Sequence, residues 1–191
     1  MGAATAALAL TVAACGDDDD EEAATSADAA QALSLNGEQT ELALDSGTAE
    51  VLTENEVEVA PVDPASAGDD GIAFPITGGE VDSETLGGTI DHSGGLEFSA
   101  GKTSVALTDF VVDTEAGTLT ATTPDGAELV TLDLDLAGLE RTDEEDGTIV
   151  ASGITATLSD DAAAALNEAF SVKLFEGGLA IGDVTVTATA G

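Results

Sequence analysis

A chain of 191 residues with 43% apolar content is long enough for one packed domain and a tail. Its 39 acids stand against three bases, Lys102, Arg141 and Lys173, a formal charge of −36. That balance excludes nucleic acid as a partner, and docking on anionic lipid through a basic patch, because both need Lys and Arg to replace counterions.

The core must be built from Val, Leu, Ile and Ala, since the chain holds five Phe and neither Tyr nor Trp. Carboxylates at this density repel one another in dilute salt. At about 1 M ionic strength the screening length shrinks to about 3 Å and the repulsion largely vanishes. Acid excess with scarce lysine therefore fits a protein working in brine; a merely acidic secreted protein is the alternative.

Residues 2–14, GAATAALALTVAA, are small and apolar and end at Cys15. The run is shorter than the roughly 20 residues that span a bilayer and fits the apolar region of a signal peptide. Val12-Ala13-Ala14-Cys15 is similar to the bacterial lipobox, an aliphatic residue and two small ones before a cysteine that takes the lipid. Residues 1–14 are thus expected to be a signal peptide and Cys15 the lipidation site, with acyl chains holding the protein to the membrane. No Lys or Arg precedes the apolar run, which a true start further upstream would explain. As the sole cysteine, Cys15 excludes an intrachain disulfide.

Residues 15–37 carry the run Asp17 to Glu22 and read as an extended, solvated tether. A calcium cluster is the weaker reading of the same acids. The remainder, 38–191, reads as a single β-rich domain.

Within it, TELAL alternates, and Asp45 or Ser46 can cap a short helix carrying Ala49, Val51 and Leu52. Val57 and Val59 then share one face of a strand. Residues 61–70 hold two prolines and small or acidic residues and read as a loop. From Gly71 to Thr114 short alternating runs are punctuated by Gly78-Gly79, Gly87-Gly88 and Gly94-Gly95, read as turns between strands. Val105 and Leu107 share a face, as do Phe110 and Val112. The change from odd to even positions at Thr108-Asp109 predicts a β-bulge.

GTLTATTP and AELVTLDLDL form a hairpin turning at Pro124-Asp125-Gly126, with Leu132, Leu134 and Leu136 inward. RTDEEDG is an exposed turn. GTIVASGITATLS is a long strand broken near Gly153. Ser159 or Asp160 caps a helix over Ala162 to Ala169, followed by a strand bearing Val172 and Leu174, and a last strand puts Val184 and Val186 inward. Leu44 and Leu52 match Leu158 and Leu166 at equal spacing, so two strand–cap–helix–strand hooks flank the β region. The fold class is mainly β, an antiparallel sandwich or incomplete barrel with two short helices.

The chemistry is sparse. Asp91-His92-Ser93 juxtaposes three triad residue types, but strand neighbours point to opposite faces and cannot form a relay. His92, the only histidine, is a candidate metal or haem ligand, outweighed by a structural or solvent-facing role. Asp133 and Asp135 share a strand face that is more simply solvated than cation-binding. Asp143-Glu144-Glu145-Asp146-Gly147 lacks the spacing of a calcium loop. No phosphate loop or Cys/His metal signature is present, so neither an enzyme nor a resident cofactor is expected.

FPITGGEVDSETLGGTIDHSGGLEFSAGKTSVALTDFVVDT, then LDLDLAG, then ITATLSDDAAAALNEAF, resembles in order the HtaA-type domain of actinobacterial cell-surface proteins, over roughly residues 71–175. The resemblance implies a β-rich surface domain. Haem-binding members of that family use a tyrosine axial ligand with a supporting histidine shortly after the hairpin phenylalanine. This chain has no tyrosine, and Ser99-Ala100-Gly101 follow Phe98, so no ligand residue carries over. The expectation is a non-enzymatic surface lipoprotein with a binding or envelope-structural role and an unknown surface ligand or protein partner. A haem- or small-ligand-binding protein linked to iron uptake is the alternative.

Overall fold

The computed structural model describes residues 31–68 and 71–190. Signal peptide, Cys15 and the acidic run all lie outside the described residues. The elements are β1 (Ala32–Leu44), α1 (Ser46–Glu54), β2 (Val57–Val62), β3 (Ser66–Ala67), β4 (Ile72–Asp82), β5 (Gly88–His92) and β6 (Gly95–Ala100). Next along the chain come β7 (Thr103–Asp113), β8 (Thr118–Thr122), β9 (Glu128–Asp135), β10 (Glu140–Asp143), β11 (Thr148–Leu158), α2 (Asp160–Phe170) and β12 (Ala180–Ala190). The first strand thus starts inside the segment expected to be tether. Leu33 and Leu35 are the reason: they reach the core, and Leu35 is buried against the barrel's far end.

Eight strands run in the order β7–β5–β4–β1–β12–β11–β9–β8, and pairing of β8 with β7 closes the ring. The expected antiparallel, mainly β class holds, and the barrel is complete. Closure leaves no open edge within the ring. An eight-stranded barrel has an interior just wide enough for side chains or one small ligand.

The sheet forks beside β7. β5 and β6 lie end to end along it, Thr89–Asp91 opposite Val111–Asp113 and Gly95–Ala100 opposite Thr103–Thr108. β4 continues the ring from β5, whereas β2 pairs with β6 and leaves the ring as a flap. Gly94-Gly95 is therefore a break in one long strand, not a hairpin turn. Gly94 has φ +85°, and a Cβ there would lie 2.5 Å from the Ala65 backbone nitrogen. Gly78-Gly79 is likewise inside β4, beside a register shift against β5. Only Gly87-Gly88, after the Ser83–Thr85 turn, ends a connection as expected.

The bulge read at Thr108-Asp109 is present: the β7–β8 register shifts between Thr108 and Val111, and Asp109 has φ +51°. It turns Leu107, Phe110 and Val112 all inward, each buried. Phe110 meets Phe74 of β4 edge to face at 5.1 Å. Leu132, Leu134, Val184 and Val186 are buried as their alternation requires, and Leu136 packs against them. Burying each such side chain contributes about 1.5–3 kcal/mol. The break expected near Gly153 is a register shift between Ala151 and Ile154 within a continuous β11.

Both hooks are real up to the helix. Asp45 caps α1, accepting from Gly47 N at 2.9 Å and Thr48 N at 3.1 Å. Ser159 caps α2, accepting from Ala162 N at 3.0 Å. Both helices sit at the barrel end where β12 begins: Asp45 N donates to Ile181 O at 2.8 Å, and Leu158 N to Leu179 O at 2.8 Å. Beyond their helices the hooks differ. α1 runs into β2 after only Asn55 and Glu56. After α2, residues 171–179 form no strand, contrary to expectation, and Val172 is exposed. This loop folds back instead because the Asn167 amide grips it, donating to Phe175 O at 2.7 Å and accepting from Leu174 N and Phe175 N at 2.9 and 3.0 Å. Phe175 is thereby buried.

Candidate functional site

The unequal connectors shape the surface. The longer loop brings a buried phenylalanine back against its own helix. The two-residue connector after α1 has no such residue to contribute, and a groove of about 760 Å³ lies between α1 and β2. Ala49, Leu52 and Thr53 of α1 form one side; Val57, Glu58 and Val59 of β2 form the other. Leu44 lies at its base and Gly101, in the tip joining β6 to β7, closes one end. Leu52 and Val57 are buried in the core, whereas Glu56, Glu58 and Thr53 are exposed. The groove thus mixes aliphatic side chains with the exposed Thr53, Glu56 and Glu58, and no basic residue lines it.

The volume falls within the range of about 300–1,000 Å³ typical of small-molecule sites, and the walls are more polar than most such sites. Glu56 and Glu58 repel carboxylates and phosphates, a repulsion felt most at low salt. No imidazole, thiol or phenol lines it. Among the described residues, no group of three or more His, Cys, Asp or Glu is placed to hold a metal ion.

The sequence-derived candidates lie elsewhere. His92 points into the barrel and is buried. Its Nδ1 lies 3.2 Å from Phe110 O and its Nε2 2.6 Å from Thr40 Oγ1. A carbonyl only accepts, so Nδ1 carries the proton and Nε2 accepts from the Thr40 hydroxyl. Burial pushes the imidazole below its ordinary value, against weaker opposing pulls from Phe110 O, Asp91 and the Ile90 backbone. His92 is thus a neutral core residue with both nitrogens engaged, the structural role that outweighed ligation in the sequence.

Asp91 is exposed on the opposite face and Ser93 half-buried, so the three neighbours form no relay. Asp133 and Asp135 are exposed on β9. Asp143 to Gly147 lie at an exposed β10–β11 turn, where Arg141 pairs with Asp143 at 2.6 Å. The groove residues were not singled out as a site by sequence. The available signal was the contrast between a two-residue connector after one helix and nine residues after the other.

Neither a family model nor a curated protein sequence matches the chain. Solved structures do. The C-terminal domain of HtaA from Corynebacterium glutamicum is similar with a TM-score of 0.62 at 16% identity, over 83% of this chain and 99% of that one. A domain-swapped dimer variant of that domain gives 0.53 at 17%, over 76% and 92%. The heme binding protein HtaB of the same organism gives 0.45 at 14%, over 84% and 96%. At these identities the likeness concerns fold, and 83% of this chain shares the fold of the HtaA C-terminal domain, the type that the sequence resembled.

Proposed function

We propose that this chain is a non-enzymatic binding protein that takes a small, largely apolar ligand in the groove between α1 and β2. The observation that carries the proposal is the groove itself: a concavity of ligand size on a closed barrel, with aliphatic side chains from α1 and β2 beside the Glu56 and Glu58 carboxylates. A purely structural envelope role, which the sequence offered beside binding, gives no reason for it. The lipobox-like run ending at Cys15 supports placing the domain outside the membrane on a lipid anchor. Palmitate labelling of the wild type but not of Cys15→Ser tests that placement; an unlabelled wild type removes it.

Haem is a second reading of the same groove. Gly101 closes one end of it, three residues after Phe98, in the stretch where the resembled family carries its supporting histidine. No tyrosine or histidine stands there to coordinate iron, and the Glu56 and Glu58 carboxylates line the same groove, against haem's own negative propionates.

Titration with Nile red, a neutral flat apolar dye, and with haemin separates the readings. Saturable Nile red fluorescence, weakened at least tenfold by groove-filling Thr53→Trp, supports the groove. A saturable Soret shift with haemin, lost in the same variant, moves haem to first place. Nile red binding unaltered by Thr53→Trp would sink the groove as the site.

A further inference from the structure

Behind the groove the barrel core holds two small voids. One of about 70 Å³ has a wholly apolar lining. A second, of about 40 Å³, lies further toward the opposite end. Both are bounded by Val112, Leu134 and Val184, so the space is nearly continuous along the axis. The linings are aliphatic and phenyl side chains with a few threonines, a surface that stays empty of water.

Leu44, Leu52 and Val59 line both the outer groove and the larger inner cavity. One layer of side chains separates the two. Leu44 belongs to β1, a ring strand, whereas Leu52 lies on α1 and Val59 on β2, both outside the ring. β2 is off the ring, and α1 is a nine-residue helix. Its ties to the ring include Thr48 Oγ1 donating to Ala180 O and Asp45 N donating to Ile181 O. Passage from groove to cavity requires these three side chains to move aside.

Resting on the groove as the binding site, we infer that the ligand is a single-chain amphiphile: its head lies in the groove beside Glu56 and Glu58 and its alkyl tail passes the Leu44–Leu52–Val59 layer into the barrel. The two carboxylates select an uncharged or cationic head. A narrow aliphatic cavity selects a tail over a rigid ring system.

The test uses straight-chain alkan-1-ols from hexanol to decanol, with the matched carboxylates, competing against Nile red on the full chain. Each methylene drawn into the barrel contributes about 0.8 kcal/mol, so affinity rises about fourfold per added carbon until the cavity is full. The carboxylate of equal length binds at least tenfold more weakly at low salt. Val184→Phe, which fills the inner space from beyond the groove, flattens the series while leaving Nile red bound. Should that variant not fold, methyl NMR of the wild type serves: decanol shifts the Val112, Leu134 and Val184 methyls, and hexanol does so less. Competition without chain-length dependence, or without shifts at those methyls, overturns tail insertion and leaves the groove standing. If neither Nile red nor any alcohol binds, the groove reading fails and the inference with it.

Discussion

Thr40 of β1 donates its hydroxyl proton to His92 Nε2 of β5 at 2.6 Å, joining strands that flank β4 through the barrel interior. Thr40→Val deletes the donor and keeps the shape, leaving a buried acceptor unsatisfied. The expected loss is about 1–3 kcal/mol in urea unfolding; an unchanged midpoint would mean the pair contributes nothing.

Protonating His92 places a positive charge in the barrel interior, which burial disfavours. Its folded-state pKa is lowered, so the unfolded chain binds the proton more readily between the folded value and about 6.5. Stability from this source is complete above that window and lost as pH falls through it. Asp82, Asp125 and Asp146 are also lowered, each chiefly by hydrogen bonds from a neighbouring threonine, but their losses begin only as pH falls below about 3.8. Unfolding curves at about 1 M salt, where carboxylate repulsion is screened, should show the upper step in the wild type and none in His92→Leu.

The caps hold the two plugs of the barrel. Ser159 is buried, accepting from Ala162 N and donating to Val130 O at 2.6 Å, so Ser159→Ala should cost about 1–2 kcal/mol. Asp45→Ala should cost about 1 kcal/mol, with the further effect of weaker Nile red binding because α1 walls the groove. Chemical denaturation and dye titration on both variants check this; equal dye affinity in the two would separate α1 from the site.

Gly153 has φ +75°, and a Cβ there would lie 2.2 Å from Gly138 O. Gly153→Ala should destabilise by more than about 1 kcal/mol and disturb the β11 register on both sides. A thermal melt like the wild type's would show that the bulge is tolerant.

Salt should act on the whole fold. Between about 0.01 M and 1 M the screening length drops from about 30 Å to 3 Å, so the melting temperature should climb steadily with NaCl. A flat response would remove the saline adaptation proposed from the −36 charge.

Much of the fold could be read from the chain because local signals agreed: the cap at Asp45, the alternation around Leu132 and Leu134, and the parity change at Thr108-Asp109 all reappear. Glycine pairs misled where they serve close strand packing. Gly79 and Gly95 sit where a Cβ would strike the neighbouring strand, a need that looks like a turn in sequence. Val172 and Leu174 alternated without becoming a strand because Asn167, several residues upstream, claims that backbone. The groove was illegible for a different reason. Its residues are ordinary strand and helix types, and only the tertiary placement of the β2 flap against α1 makes them a site.

Backbone amide shift mapping reads binding in that groove residue by residue. Adding Nile red to isotopically labelled protein should give saturable shifts concentrated at Ala49 to Val59 and at Gly101, with β9 and β10 unmoved. Shifts scattered over the surface, or confined to strands away from α1, would contradict it.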